Sequence, residues 1–125
     1  MVGFPGEKNF NPVYLLLQVC DQHPLLVLNE PLCLVEYQQN DSMSQHIWQQ
    51  YFDSPRSFAK MRMLEISLSH NTPWNRFRCA IHYVAECLIA RDWTLIASPS
   101  IWIVSALIPG ILWYCAIRLA ILFQK

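Results

Sequence analysis

The sequence predicts a mostly α-helical chain with one short two-stranded β element, an α+β arrangement. Three observations lead to this prediction: two short apolar runs near residue 30, apolar residues at helical spacing after residue 42, and a nearly uncharged C-terminal stretch. The chain has 125 residues, which is room for one domain at most. We divide it into residues 1–41, 42–92 and 93–125, because the composition changes at these boundaries.

The β element is predicted from the apolar runs at residues 25–28 and 32–37. Both runs have the length of strands and are too short for stable helices. A proline precedes each run and favours extended backbone in the residue before it. In the second run, alternation puts Glu36 on one face with apolar neighbours. We therefore expect a largely buried strand with one carboxylate near an edge or cleft.

Helices are predicted where apolar residues recur at helical spacing and a start signal precedes them. The start signals are the pair Ser42 and Gln45, which forms a capping box, and the pairs Ser54-Pro55 and Thr72-Pro73. The expected helices cover residues 13–22, 43–53, 55–69 and 73–91. We expect the last two to form a hairpin.

The helix at 73–91 has an apolar seam and a polar line beside it. The seam is spaced 3, 4, 3 and 4, which predicts its buried side: Trp74, Phe77, Ile81, Val84 and Leu88. Arg78, His82 and Glu86 follow one another four apart on another side, where ionic support is modest. His82 and Glu86 lack a third ligand nearby in the sequence, so we do not predict a metal site there.

The five cysteines are odd in number, widely spaced and form no Cys-x-x-Cys pair. A zinc site or a disulfide framework is therefore not expected. Each cysteine has apolar neighbours in the sequence, which is typical of buried free thiols and suits a reducing cytoplasm. No basic segment leads into an N-terminal apolar run, so no signal peptide is expected.

The formal net charge is zero, which gives no argument for a nucleic-acid partner. The charges are unevenly distributed, with an acidic stretch at residues 1–41 and a basic one at 56–91. One interpretation is a metal–sugar site in the acidic part and anionic lipid facing the basic part. The alternative is two solvated faces.

Residues 93–125 predict association with membrane lipid. Between Trp93 and Phe123 the only charged residue is Arg118. Residues 101–123 exceed the about 20 residues that cross a bilayer, and Pro109-Gly110 is expected to split them. Arg118 lies toward one end, where its side chain is able to reach the headgroups. Three alternatives stay open: a spanning helix, a kinked helix in the interface, and a buried helical pair.

A family resemblance appears in the first half of the chain. Residues 26–38 are Leu-Val-Leu-Asn-Glu-Pro-Leu-Cys-Leu-Val-Glu-Tyr-Gln, residues 40–44 are Asn-Asp-Ser-Met-Ser, and residues 4–10 are Phe-Pro-Gly-Glu-Lys-Asn-Phe. These three segments resemble the C-terminal part of bacterial family 2 glycosyltransferases with the GT-A fold, in the capsular, teichuronic or exopolysaccharide subgroup. The resemblance covers roughly residues 4–92 and implies a C-terminal GT-A fragment, a helical hairpin and a hydrophobic C-terminal helix.

The resemblance also implies site residues. Glu7 matches the acidic position that serves as general base, taking the proton of the acceptor hydroxyl as it attacks the sugar. This chain has Glu-Lys where many members have Glu-Asp, and a surface charge in a loop is the alternative. Asn40, Asp41, Ser42 and Ser44 match a polar loop near the substrate, although Ser42 departs from the family's common Asp-Gly.

The implied reaction transfers a sugar from a nucleotide-sugar donor to a lipid-linked or growing polysaccharide. The intact enzyme would use Mg²⁺ or Mn²⁺, but this chain has no Asp-x-Asp motif to hold one and no Gly-rich phosphate loop. We therefore expect it to carry no cofactor and to be inactive alone. The implied location is the cytoplasmic face of the bacterial membrane. The alternative function is a non-catalytic small membrane-associated protein or a partner-binding helical module.

Overall fold

The computed structural model describes residues 4–7, 12–24, 26–31, 33, 47–92 and 100–123. The regular structure in these residues is helical: α1 (Val13–Gln22), α2 (Ile47–Asp53), α3 (Pro55–Ser67), α4 (Pro73–Ala90), α5 (Ile101–Ser105) and α6 (Leu107–Phe123). α4 is the helix around which the others pack, since α2, α3, α5 and α6 all contact it. α1 lies against α3 instead.

The predicted β element is wrong for the residues that can be compared. None of the described residues forms a strand, so no two-stranded element and no piece of a GT-A sheet is seen among them. Leu26 and Val27, in the first predicted strand, are each 85% exposed. The second run lies outside the described residues except for Cys33. Proline and short apolar runs favour extended backbone, but a strand also needs a partner, and an isolated pair is marginal in water.

The predicted helices at 13–22 and 73–91 are confirmed, and α2 confirms the described part of the helix expected at 43–53. α3 ends two residues before the predicted position, because Leu68 leaves the helical conformation. Two side chains satisfy carbonyl groups at this end: Asn71 Nδ2 donates to Glu65 O at 2.8 Å and Arg76 Nη2 donates to Leu68 O at 2.8 Å. These bonds satisfy one of the last carbonyl groups of α3 and the carbonyl of the residue that ends it.

One predicted cap is confirmed and another is wrong. Thr72 Oγ1 accepts a hydrogen bond from Asn75 N at 3.3 Å at the start of α4. Ser54 precedes Pro55 as predicted, but its side chain makes no capping hydrogen bond to α3. The predicted capping box at Ser42 lies outside the described residues. α3 therefore needs a different acceptor at its N-terminus, and a distant residue supplies it.

The core forms where α3 and the start of the C-terminal helices meet α4. Its α4 residues are Cys79, Ala80, Tyr83, Val84 and Cys87, and their partners are Ala59 and Ile66 on α3 with Ile103 and Ala106. The predicted seam is partly wrong, because Trp74 is 71% exposed. Several buried residues of α4 are small, and alanine and cysteine let neighbouring helices approach closely.

The C-terminal apolar stretch is broken, but not at the predicted place. The interruption lies at Ala106, between α5 and α6, and Pro109 belongs to the first turn of α6. Proline has no N–H with which to bond the carbonyl four residues earlier, here that of Ser105, so the helix is interrupted one turn before it. None of the described helices is both long enough and apolar enough to cross a bilayer.

Gly110 sets the distance between α6 and α4. A Cβ atom at this position would lie 2.6 Å from Val84 Cβ and 3.1 Å from the Ile81 carbonyl oxygen. Such distances are far inside van der Waals contact, so any larger side chain would push the two helices apart. Gly110 is buried, and the helix continues through it because its N–H donates to Ala106 O at 2.8 Å.

Candidate functional site

Glu7, the predicted catalytic base, caps the N-terminus of α3. Its Oε1 accepts a hydrogen bond from the Arg56 N–H at 2.7 Å, and its Oε2 accepts one from the Ser57 N–H at 2.9 Å. The Ser57 hydroxyl also donates to Oε2. The first N–H groups of a helix lack intrahelical partners, and the helix dipole favours a negative charge there. Glu7 thus does for α3 what was expected of Ser54.

The role of Glu7 as a general base stays a prediction. Three hydrogen bonds from α3 already use most of the acceptor sites of this carboxylate, which leaves about one for an acceptor hydroxyl. The geometry does fix this carboxylate at a defined point on the helical hairpin. Asn40, Asp41, Ser42 and Ser44, the predicted substrate-binding residues, lie outside the described residues.

A cluster of charged side chains lies between α3 and α4. Glu86 is only 1% exposed, and its Oε1 lies 3.7 Å from Arg62 Nε. Within the described part of the chain, neither oxygen of Glu86 has a hydrogen-bond partner. Arg62 instead donates from Nη1 to Glu65 Oε2 at 2.8 Å, and the Cys79 thiol donates to the same oxygen at 3.3 Å.

The surroundings of Glu86 favour its protonated form. Burial raises the pKa of Glu86 to about 8, although the nearby Arg62 charge opposes the shift. Burial lowers the pKa of Arg62, but the Glu86 and Glu65 carboxylates outweigh that effect and leave the pKa above its ordinary value. The hydrogen bond at 2.8 Å pairs Arg62 with Glu65, so Glu86 is the group that carries a proton at neutral pH.

His82 is adjacent to this cluster and is neutral at physiological pH. Burial, with the charges of Arg62 and Arg78, lowers the pKa of His82 to about 4. Its ring meets the ring of Trp113 on α6 edge to face, with centroids 5.4 Å apart. In the described residues no three His, Cys, Asp or Glu side chains are arranged to hold a metal ion. The metal expected for an intact glycosyltransferase stays a prediction.

The cysteines are only partly as predicted. Cys79 and Cys87 are buried in the core, and burial raises their pKa values to about 11 and about 12, so both are neutral thiols. Cys33 and Cys115 are exposed, contrary to the prediction that apolar sequence neighbours imply burial. On α6 the neighbours of Cys115 are themselves at the surface, so apolar sequence context does not distinguish the two cases.

α5 and α6 have an apolar surface on both sides. Their inner side is buried against α4 through Ile103, Ala106, Gly110 and Ile117. The opposite side, which we call the outer face, is exposed and consists of Ile101, Val104, Ile108, Ile111, Leu112, Leu119, Leu122 and Phe123. Arg118 is the only charged residue in this part of the chain, and its guanidinium lies over the rings of Phe52 and Tyr114 at 5.2 and 5.4 Å.

Comparison of the chain with protein-family models, with curated proteins and with solved structures finds no match. The resemblance to family 2 glycosyltransferases therefore rests on the sequence motifs alone and stays a prediction. The structural arguments rest on three features: the Glu7 cap, the buried cluster around Glu86, and the outer face of α5–α6.

We predict that Glu7→Ala destabilises the folded chain. Removing the carboxylate leaves the Arg56 and Ser57 N–H groups without their acceptor, and loss of a helix N-cap costs about 0.5–2 kcal/mol. Urea unfolding followed by circular dichroism measures the change. Glu30→Ala is the matched control, because it removes an equal charge at an exposed position. Equal stability of the two variants would contradict the capping role.

We predict that Glu86→Gln removes a pH dependence of stability. The folded-state pKa of Glu86 is raised, so its contribution to stability is complete below about 4.5 and is lost as the pH rises toward about 8. The free energy of unfolding of the wild type, relative to that of Glu86→Gln, should therefore fall across this range. Urea titrations at several pH values measure the difference, in which the titration of His82 cancels. A difference that is constant or grows with pH would show that Glu86 is ionised in the folded state.

Proposed function

We propose that this chain is a helical module that docks on a membrane surface through the outer face of α5–α6 and has no catalytic activity of its own. The observation that supports this most is the exposure of large apolar side chains along the outer face, including Ile101 at 78% and Leu122 at 69%. A helix that is hydrophobic all round belongs in a protein core or in lipid. Contiguous apolar surface of this kind marks an interaction site.

The packing of α6 favours a position in the interface over a spanning one. Its inner side is occupied by α4 at Gly110 and Ile117, which leaves only the outer face for lipid. α4 also contacts α3 through Arg62, which is charged, and Glu86, and ionisable groups are costly inside hydrocarbon. α6 has 17 residues, about 25 Å of helix, enough to lie along the boundary between headgroups and acyl chains.

Lipid fits the outer face better than a protein partner because its exposed polar groups are few: the Cys115 thiol, and the Ser105 hydroxyl, which already donates to the Trp102 carbonyl. Protein interfaces place hydrogen-bonding groups around an apolar centre, about one hydrogen bond per 100–200 Å². Here Arg118 is the single charged residue, and it lies near the end of α6 beside Tyr114. An arginine and an aromatic side chain at that position suit the headgroup layer. The cytoplasmic face of a bacterial membrane is the location that we propose.

A second candidate is that this module forms the C-terminal segment of a family 2 glycosyltransferase. The sequence of residues 25–44 favours this candidate, as does the fixed position of Glu7 at the N-terminus of α3. In that case docking would keep the intact enzyme near a lipid-linked acceptor, while residues outside this chain bound the nucleotide sugar and the divalent metal. An adjoining reading frame that encodes an Asp-x-Asp motif would support this candidate, and its absence would favour an independent module.

We predict that the purified chain binds vesicles of neutral phosphatidylcholine and that the double substitution Ile108→Glu and Leu112→Glu prevents it. Both residues lie on the outer face, 74% and 64% exposed. Fully burying such a side chain contributes about 1.5–3 kcal/mol, so the pair should lower the affinity on the order of 100-fold or more. Flotation of the protein with vesicles in a density gradient measures the binding.

The matched control for this experiment is Leu15→Glu with Leu16→Glu, which places two acids on the exposed side of α1 instead. This control should float with the vesicles as the wild type does. The competing explanation is self-association of the chain through the outer face, which analytical ultracentrifugation measures. Membrane docking would be overturned if the wild-type protein does not bind vesicles but self-associates through the outer face.

We also predict that the purified chain turns over no uridine-diphosphate sugar in the presence of Mg²⁺ or Mn²⁺. The reason is chemical, since the sequence has no Asp-x-Asp motif to hold a metal against the donor diphosphate. Release of uridine diphosphate measures turnover. Release above the level of a Glu7→Gln variant would refute the non-catalytic role and make Glu7 a catalytic residue.

A further inference from the structure

A groove of about 560 Å³ lies between α1, α3 and the beginning of α5. Most of its lining is apolar and includes Tyr14, Met63 and Trp102. Two cationic side chains, Lys60 and Arg76, also line it, and its lining contains no carboxylate among the described residues. Its size falls within the range of about 300–1,000 Å³ that is usual for ligand pockets.

Lys60 and Arg76 have no acidic partner in the described part of the chain, a feature that they share with Arg78 but not with Arg56 or Arg62. Lys60 Nζ lies over the rings of Phe4 and Tyr14, at 5.7 and 5.6 Å from their centroids. Among the described residues, Arg76 Nη2 donates only to main-chain carbonyls, and the buried Arg76 Nε–H has no acceptor. By contrast, Arg56 pairs with Asp92, and Arg62 pairs with Glu65.

The groove adjoins the outer face. Ser100 and Trp102 line the groove, and Ile101, between them in the sequence, is the first residue of the outer face. A chain docked through the outer face would therefore bring the mouth of the groove close to the membrane surface.

We propose that this groove binds an anionic phospholipid of the membrane on which the chain docks, a proposal that rests on the docking function above. The lipid phosphate lies near Lys60 and Arg76 and acts as the anionic partner that neither has among the described residues. The upper part of an acyl chain lies along Met63 and Trp102. The formal net charge of the chain is zero, so a preference for anionic lipid must come from local cations such as these.

The test compares vesicles of phosphatidylcholine alone with vesicles that contain about one third phosphatidylglycerol, at low and at high salt. The wild type should bind the anionic vesicles more tightly. Lys60→Gln should lower that affinity about fivefold and leave the affinity for neutral vesicles unchanged. Lys60→Arg, which keeps the charge, should restore the preference. Circular dichroism establishes that each variant is folded.

The matched control is Arg78→Gln, because it removes an equal charge from the same hairpin. Arg78 is exposed and, two residues beyond Arg76, points to roughly the opposite side of α4. If Lys60→Gln and Arg78→Gln weaken anionic binding equally, general electrostatics acts and the groove does not. Equal wild-type affinity for both vesicle types overturns this inference and leaves docking intact. Binding to neither type overturns the docking function and this inference with it.

Discussion

The burial of α4 on more than one side is the constraint on which the rest of the structure depends. Five consecutive residues, from Tyr83 to Cys87, are buried, which no single contact face of a helix allows. α3 covers one side and α6 covers another, and each approach requires small residues at the contact. Ala59 and Ala80 belong to the shared core, and Gly110 lets α6 pass against Val84. Since α4 uses up the inner side of α6, the outer face is what remains for a partner.

Glu86 is tolerated inside this packing because it is protonated. The side chain is 1% exposed and has no hydrogen-bond partner among the described residues. Burying it in ionised form would therefore cost far more free energy than its attraction to the nearby arginine offsets. Arg62 donates its close hydrogen bond to Glu65, and its charge, 3.7 Å from Glu86, offsets only part of the effect of burial on Glu86. A neutral Glu86 behaves as a polar side chain of moderate cost, and the helices can close on it. The neutral His82 beside it follows the same rule, since burial discourages each charge.

Local signals predicted the helices well, because caps and spacing act within a few residues. Thr72-Pro73 starts α4 as expected, and the apolar spacing after Pro12 gives the bounds of α1. Two of the failures depend on contacts far apart in the sequence. The acceptor at the start of α3 is Glu7, 49 residues before Arg56, whereas the neighbouring Ser54 has the better local pattern. The extended run at Leu26 has strand composition, but composition does not supply a pairing partner.

The same limit applies to the candidate sites. A charged residue in the sequence Tyr-Val-Ala-Glu-Cys has only apolar neighbours, and this was the signal that Glu86 is buried. The line of Arg78, His82 and Glu86 indicated a polar side with modest ionic support. Spacing shows which residues share a face of the helix, but it does not show which face another helix covers. The outer face of α5–α6 raises this problem most clearly. Both sides of α6 are apolar, so the sequence predicts that each side contacts either protein or lipid. Only the position of α4 shows which side packs in the fold and which side is left for lipid.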